Sequence, residues 1–318
     1  MSTATVAASR RPKIVLDCDP GLDDALAILT AAHFGELIGI TTVNGNVGIE
    51  HTTHNALITA QIAGLSAEVH RGVARPLIAP AMDAARVHGA TGLGDVKLPE
   101  LRRAVASDDA VTYLCDTARS VDDLNLVAVG PLTNVALALR RDPDLRSRLA
   151  SLTIMGGAAH GGNVTPVAEF NIWADPEAAA IVFREAAPLT MVGLDVTHKV
   201  LLGGDEASRM RSAGTPVADF AADLLDYAYA RCRDYGLPAA PMHDATAVIA
   251  VTHPDLFSSS SHPVTVEIHG EHTRGMTVTD VRPLSNFVPD SPLPMHQVVW
   301  DADATAVIDL TVQACCAR

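Results

Sequence analysis

The stretch that decides the fold is Ile14-Val15-Leu16-Asp17-Cys18-Asp19-Pro20-Gly21-Leu22-Asp23-Asp24. A β-type apolar run, Ile14 to Leu16, leads straight into Asp17, Asp19, Asp23 and Asp24. A Pro20-Gly21 turn interrupts the acids, and an apolar-periodic segment, Ala25 to Leu29, follows them. That order reads as a strand, a tight turn and a helix, with carboxylates at the strand's C-terminal end. Ligand crevices of open α/β sheets lie at that end. Carboxylates crowded in this way repel one another unless a cation neutralises them. Oxygen-only donors suit a hard cation such as Ca²⁺ or Mg²⁺. A helix N-cap favoured by the helix dipole accounts for one or two of these acids, but not for all.

Working outward, the same unit recurs. The run Leu37 to Val43 ends at Asn44-Gly45-Asn46, and residues 50–64 read as a helix. Leu124 to Val129 ends at Gly130-Pro131, after which Thr133 opens a helix over Asn134 to Leu139. Ser151 to Met155 ends at Gly156-Gly157, and Leu189 to Leu194 ends at Asp195. Strands that are apolar throughout, each followed by a Gly or Asp turn and a helix, predict an α/β fold. Its Rossmann-like, mostly parallel sheet would be covered on both faces. Residues 203–253 read as helical. Val264 to Ile268, Thr273 to Val281 and Gln297 to Trp300 read as late strands, some antiparallel, and residues 303–316 as a terminal helix. We expect a disordered leader over residues 1–12 and a single domain over 13–318. The loop 72–100, rich in Pro, Gly and His, is long enough to serve as an active-site lid.

Composition narrows the function. The chain has 318 residues, 48% of them hydrophobic but only 4% aromatic, so its core is aliphatic. A net charge of −14 argues against nucleic acid or an anionic membrane as partner, since both call for a basic surface. Cys18, Cys115, Cys232, Cys315 and Cys316 are odd in number and scattered, which points to reduced thiols and a cytoplasmic location. No stretch approaches the length of a membrane span.

Polar residues recur wherever an expected strand ends. Asp19, Asp23 and Asp24 follow the first strand, Asn46 the second and Thr133 the next long one. Asn163, Glu169 and Asn171 follow Ser151–Met155, and His243-Asp244 opens the apolar helix Ala245 to Val251. Singly, Asn46 and Asn163 could be turn residues, and Thr133 and Asp244 helix caps. Together, on one face of a sheet, they form a dense array of donors and acceptors without Lys or Arg. Such an array suits vicinal hydroxyls, as in ribose, better than a phosphate.

The run DCDPGLDDALAI resembles the signature of the nucleoside hydrolases, the inosine–uridine-preferring family and its relatives. Further matches follow in order: TTVNGN, GPLTN, GGNVTPVAEFNIWADPEAA, GLDVTH and MHDATAV, spanning about residues 13–250. The resemblance implies a Ca²⁺ ion held by the carboxylates of Asp19, Asp24 and Asp244 and the backbone carbonyl of Thr133, with Asp19 as general base. It implies that Asp23, Asn46, Asn163, Glu169 and Asn171 hold the ribose hydroxyls. His243 would assist departure of the base, His88 would reach the site from the lid, and the working form would be a homodimer or homotetramer.

Tyr227, Arg231 and Tyr235 recur every four residues and share one helix face, either as core or as base contacts. Neither Trp173 nor Trp300 stands where a purine-stacking pair is expected, so we expect hydrolysis of uridine or inosine; Arg231 is an unusual partner for uracil. Two other readings compete. A Mg²⁺ phosphatase of the haloacid-dehalogenase type shares the DxD pattern, but Gly21-Leu22 lacks the hydroxyl and no suitable lysine follows. A catalytically silent Ca²⁺- or nucleoside-binding protein would need the same ligands.

Overall fold

A computed structural model describes residues 11–282 and 293–317. The strands, in chain order, are β1 (Lys13–Cys18), β2 (Glu36–Thr42), β3 (Glu68–Arg71), β4 (Leu124–Ala128), β5 (Ser151–Met155), β6 (Thr190–Val192), β7 (Leu201–Leu202), β8 (Ala240–Pro241), β9 (Phe257–Val266), β10 (Thr277–Thr279) and β11 (Met295–Ala302). Among the described residues, nine of them form one sheet in the order β10-β9-β11-β6-β5-β4-β1-β2-β3, and β7 and β8 form a small ribbon. From β11 to β3 every pairing is parallel, whereas β9 runs antiparallel to β11 and to β10. This is the single α/β unit expected. The first ten residues of the expected leader lie outside the described residues. Pro12 already belongs to the fold, because its carbonyl accepts from the Glu36 N–H at 2.9 Å.

Burial explains the strand composition. Ile14 to Cys18 of β1 are fully or almost fully buried, with helices on both sides. One face packs against Ala110–Ser120, Thr133–Arg141 and Pro176–Glu185. The other packs against Leu22–Phe34, Ile49–Ile62 and Asp244–Thr252, with Pro216–Asp234 and Ala304–Cys316 outside them. The chain builds β1, β2 and β3 outward in one direction, then returns to lay β4 on the other side of β1. The tips of β1 and β4 therefore flank a switch point, where an open sheet leaves its crevice.

Two strand bounds depart from the sequence reading. The strand expected over Leu189–Leu194 stops at Val192, because Gly193 caps a helical turn, Leu194–Thr197. The one expected over Thr273–Val281 pairs only through Thr277–Thr279. The loop 72–100 carries a short helix, Ala85–His88, and is pinned to the body of the protein by several hydrogen bonds.

Candidate active site

The two helices that open into the switch point place the acids. In Leu22–Phe34, Gly21 is the N-cap, and Asp24 folds its carboxylate back to accept from the N–H groups of Gly21 (2.9 Å) and Asp19 (3.0 Å). Asp244 is the first residue of Asp244–Thr252, which packs against Leu22–Phe34. Two positive helix ends thus converge on the acids. They do not neutralise them fully. Asp19 and Asp244 lie close enough to Asp24 for their carboxylate charges to act on one another. Burial and then the charge of Asp24 push Asp19 well above the usual carboxylate range. Burial, then Asp23 and Asp24, do the same to Asp244. Asp24 is pushed up to about 7 by burial and Asp23.

Asp19 is fully buried at the tip of β1. Its Oδ2 accepts from the Asn46 N–H at 2.6 Å, and its Oδ1 is buried without a hydrogen-bond partner. Gly45 and Gly130 close over this carboxylate; a Cβ at either would collide with its oxygens. The carboxylates of Asp23, Asp24 and Asp244 offer ligand atoms within 4.8 Å of one another. Four buried or half-buried acids with an orphaned oxygen, and no Lys or Arg among the described residues of the cavity wall, fit a hard divalent cation. Asp23, expected on the ribose, lies as near to Asp24 and Asp244 as a ligand would.

Above the acids lies a cavity of about 290 Å³. Asp23, Asn46, His88, Asn163, Glu169, Asn171, Tyr235, His243 and Asp244 all line it, drawn from six separate segments of the chain. Asp19 and Asp24 do not line it, but both carboxylates accept from Asn46, which does. Glu169 caps Phe170–Ala174 and accepts from the N–H groups of Gly157, Asn171 and Ile172, yet burial still pushes it up to about 7. Asn171 donates to the carbonyls of Val129 and Met155, which locks it across the ends of β4 and β5. Asn163 accepts from the Phe170 N–H. His88 Nδ1 accepts from the Leu22 N–H at 3.1 Å, so its neutral ring carries the proton on Nε2.

Thr133 and Arg231 do not line the cavity. Thr133 is buried off the cavity, with its hydroxyl donating to Asp175. The Arg231 guanidinium donates to the Arg86 carbonyl at 2.8 Å and so braces the loop 72–100. Neither Trp173 nor Trp300 lines the cavity. Sequence reasoning passed over Thr197 and His198. The Thr197 hydroxyl meets His243 Nδ1 at 2.8 Å, and His198 lines the cavity with its ring edge-on to His243. The only hint was their place in GLDVTH. Burial lowers His243 to about 4, so its imidazole is neutral at neutral pH.

The raised acids give a stability signature for the metal-free protein. Asp24 and Glu169 titrate near 7 when folded but near 3.8 and 4.5 when unfolded. Between those limits the folded state holds more protons, so its stability falls as pH rises. Melting of chelated protein is expected several degrees lower at about pH 8 than at about pH 5, with Ca²⁺ reversing the loss at the higher pH. A melting temperature that rises over that interval without metal would contradict this electrostatic picture.

Comparison with known proteins agrees with this geometry. The family model described as inosine-uridine preferring nucleoside hydrolase matches residues 14–309. The pyrimidine-specific ribonucleoside hydrolase RihA of Escherichia coli K12 is 40% identical over 303 residues, covering 93% of this chain and 96% of that protein. RihB of the same organism is 39% identical over 272 residues, covering 84% and 87%. A purine-preferring ribonucleoside hydrolase from Gardnerella vaginalis superposes with a TM-score of 0.89 at 33% identity, covering 96% of this chain and 98% of that one. With a family model spanning nearly its whole length, and with relatives named as ribonucleoside hydrolases, the chain belongs to the inosine-uridine preferring nucleoside hydrolase family.

Proposed function

We propose that the protein hydrolyses the N-glycosidic bond of uridine or inosine to free base and ribose, with Ca²⁺ as cofactor, as a step of nucleoside salvage. The observation that carries this reading is the convergence of strand-end carboxylates, amides and histidines on one cavity whose wall, among the described residues, lacks Lys and Arg. Asp19, Asp24, Asp244 and the Thr133 carbonyl would hold the cation, and Asp23, Asn46, Asn163, Glu169 and Asn171 the ribose. When bound, the cation supplies acidification of water and a grip on the vicinal hydroxyls. Asp19 Oδ1, buried and unpartnered, is placed to accept a proton from water. Glu169 and Asp23 stabilise the positive charge that grows on the sugar as the bond breaks. His243 and His88 face the cavity with neutral imidazoles that donate hydrogen bonds toward the base.

The relatives divide on the base: RihA and RihB are named as pyrimidine-specific, and the Gardnerella enzyme as purine-preferring. Here no tryptophan lines the cavity, whereas His243, His88 and Tyr235 do. That favours recognition by hydrogen bonds over a purine sandwich. The working form is a homodimer or homotetramer in the cytoplasm, in keeping with five free cysteines. Steady-state rates on uridine, cytidine, inosine and guanosine, with chelator and with Ca²⁺, test the reading. Uridine or inosine should be the best substrate, and chelator should abolish turnover until Ca²⁺ is returned. Guanosine as the best substrate, or turnover indifferent to chelator, would overturn it.

A further inference from the structure

Asp175 is completely buried between Phe170–Ala174 and Pro176–Glu185, and each of its oxygens has a separate task. Oδ1 accepts from the Ala178 N–H at 3.1 Å, the ordinary cap of the helix Pro176–Glu185. Oδ2 faces the other way and accepts from the Thr133 hydroxyl at 2.7 Å and from the Leu77 N–H at 2.9 Å. A helix cap alone uses one oxygen. The second oxygen binds three parts of the site together: the turn Gly130–Thr133 that packs on Asp19, the stem of the loop 72–100, and the segment carrying Glu169 and Asn171. Asn134, next to Thr133, is held in the same way. It donates to Asp17 and to the Thr42 carbonyl and accepts from the Val73 N–H. The Thr133 turn is thus tethered on both sides.

We infer that Asp175 is a positioning residue for the cation: through the Thr133 hydroxyl it fixes the backbone whose carbonyl would hold the metal, and through Leu77 it ties that backbone to the loop 72–100. The inference rests on the proposed metal set, in which Thr133 contributes its carbonyl. Partners one step removed from a metal commonly change its affinity by roughly 10–100-fold when removed.

Three variants separate this role from helix capping. Asp175→Ser keeps a competent cap and removes the clamp. Asp175→Asn keeps the cap oxygen but replaces the second acceptor with a donor that Leu77 cannot use. Thr133→Val leaves the carbonyl, the cap and Asp175 in place and deletes only the hydroxyl. Calorimetric titration of chelated protein with Ca²⁺, alongside its melting temperature, is the readout. All three variants are expected to bind Ca²⁺ roughly 10-fold or more weakly, and combining Asp175→Ser with Thr133→Val should cost little beyond either alone. Ca²⁺ affinity within twofold of wild type in Asp175→Ser, with only the melting temperature lowered, would reduce Asp175 to a cap. Wild-type protein that binds no Ca²⁺ would overturn the metal reading of the function, and this inference with it.

Discussion

Replacing Asp19 by Asn is expected to lower kcat on uridine or inosine by roughly 10⁴-fold while leaving the metal-free protein at least as stable as wild type. The amide oxygen can still accept from the Asn46 N–H, so the tip of β1 keeps its geometry. What disappears is a buried negative charge and the unpartnered oxygen that would take a proton from water. Without metal that charge is a burden, because burial and Asp24 already push the Asp19 carboxyl far up. Neutralising it removes a desolvation cost. Loss of function with no loss of stability marks a residue selected for chemistry. Steady-state kinetics and melting of chelated protein measure both halves, and near-wild-type turnover would refute the role of Asp19 as base.

His243→Ala should divide substrates by leaving group. The ring is buried and titrates at about 4, so it meets the substrate as a neutral imidazole. Such a ring stabilises a departing base by donating an N–H as negative charge develops, and this requires the Thr197 hydroxyl to donate to Nδ1 so that Nε2 keeps its proton. Nucleosides, whose bases leave poorly, should lose roughly 10²-fold or more in kcat. A p-nitrophenyl riboside carries a leaving group that bears its own charge and should react at close to the wild-type rate. Equal losses on both would assign His243 to positioning the sugar instead.

The signature run carried most of the fold. Strand, Pro-Gly turn and acid-capped helix are local features, and β1, the tip of β1 and Leu22–Phe34 appear where residues 14–29 place them. Continuous apolar runs made β4 and β5 equally legible. The strand β3 was not legible, since Glu68–Arg71 is short and two of its residues are charged; only pairing with β2 makes it a strand. The site divides in the same way. Residues reaching the cavity from strand ends could be read one loop at a time. The contact of Thr197 with His243, the grip of Arg231 on the loop 72–100 and the clamp of Asp175 on Thr133 join residues 46, 145 and 42 positions apart, and no local pattern encodes them. Family membership, now shown by the match over residues 14–309, leaves the haloacid-dehalogenase alternative without support.

A crystal of the protein grown with Ca²⁺ and ribose offers the most direct look at the site. One strong peak should appear within bonding distance of Asp19, Asp24, Asp244 and the Thr133 carbonyl, touching two vicinal hydroxyls of the sugar. An acid cluster that stays empty at saturating calcium, or a sugar bound away from it, would contradict the account.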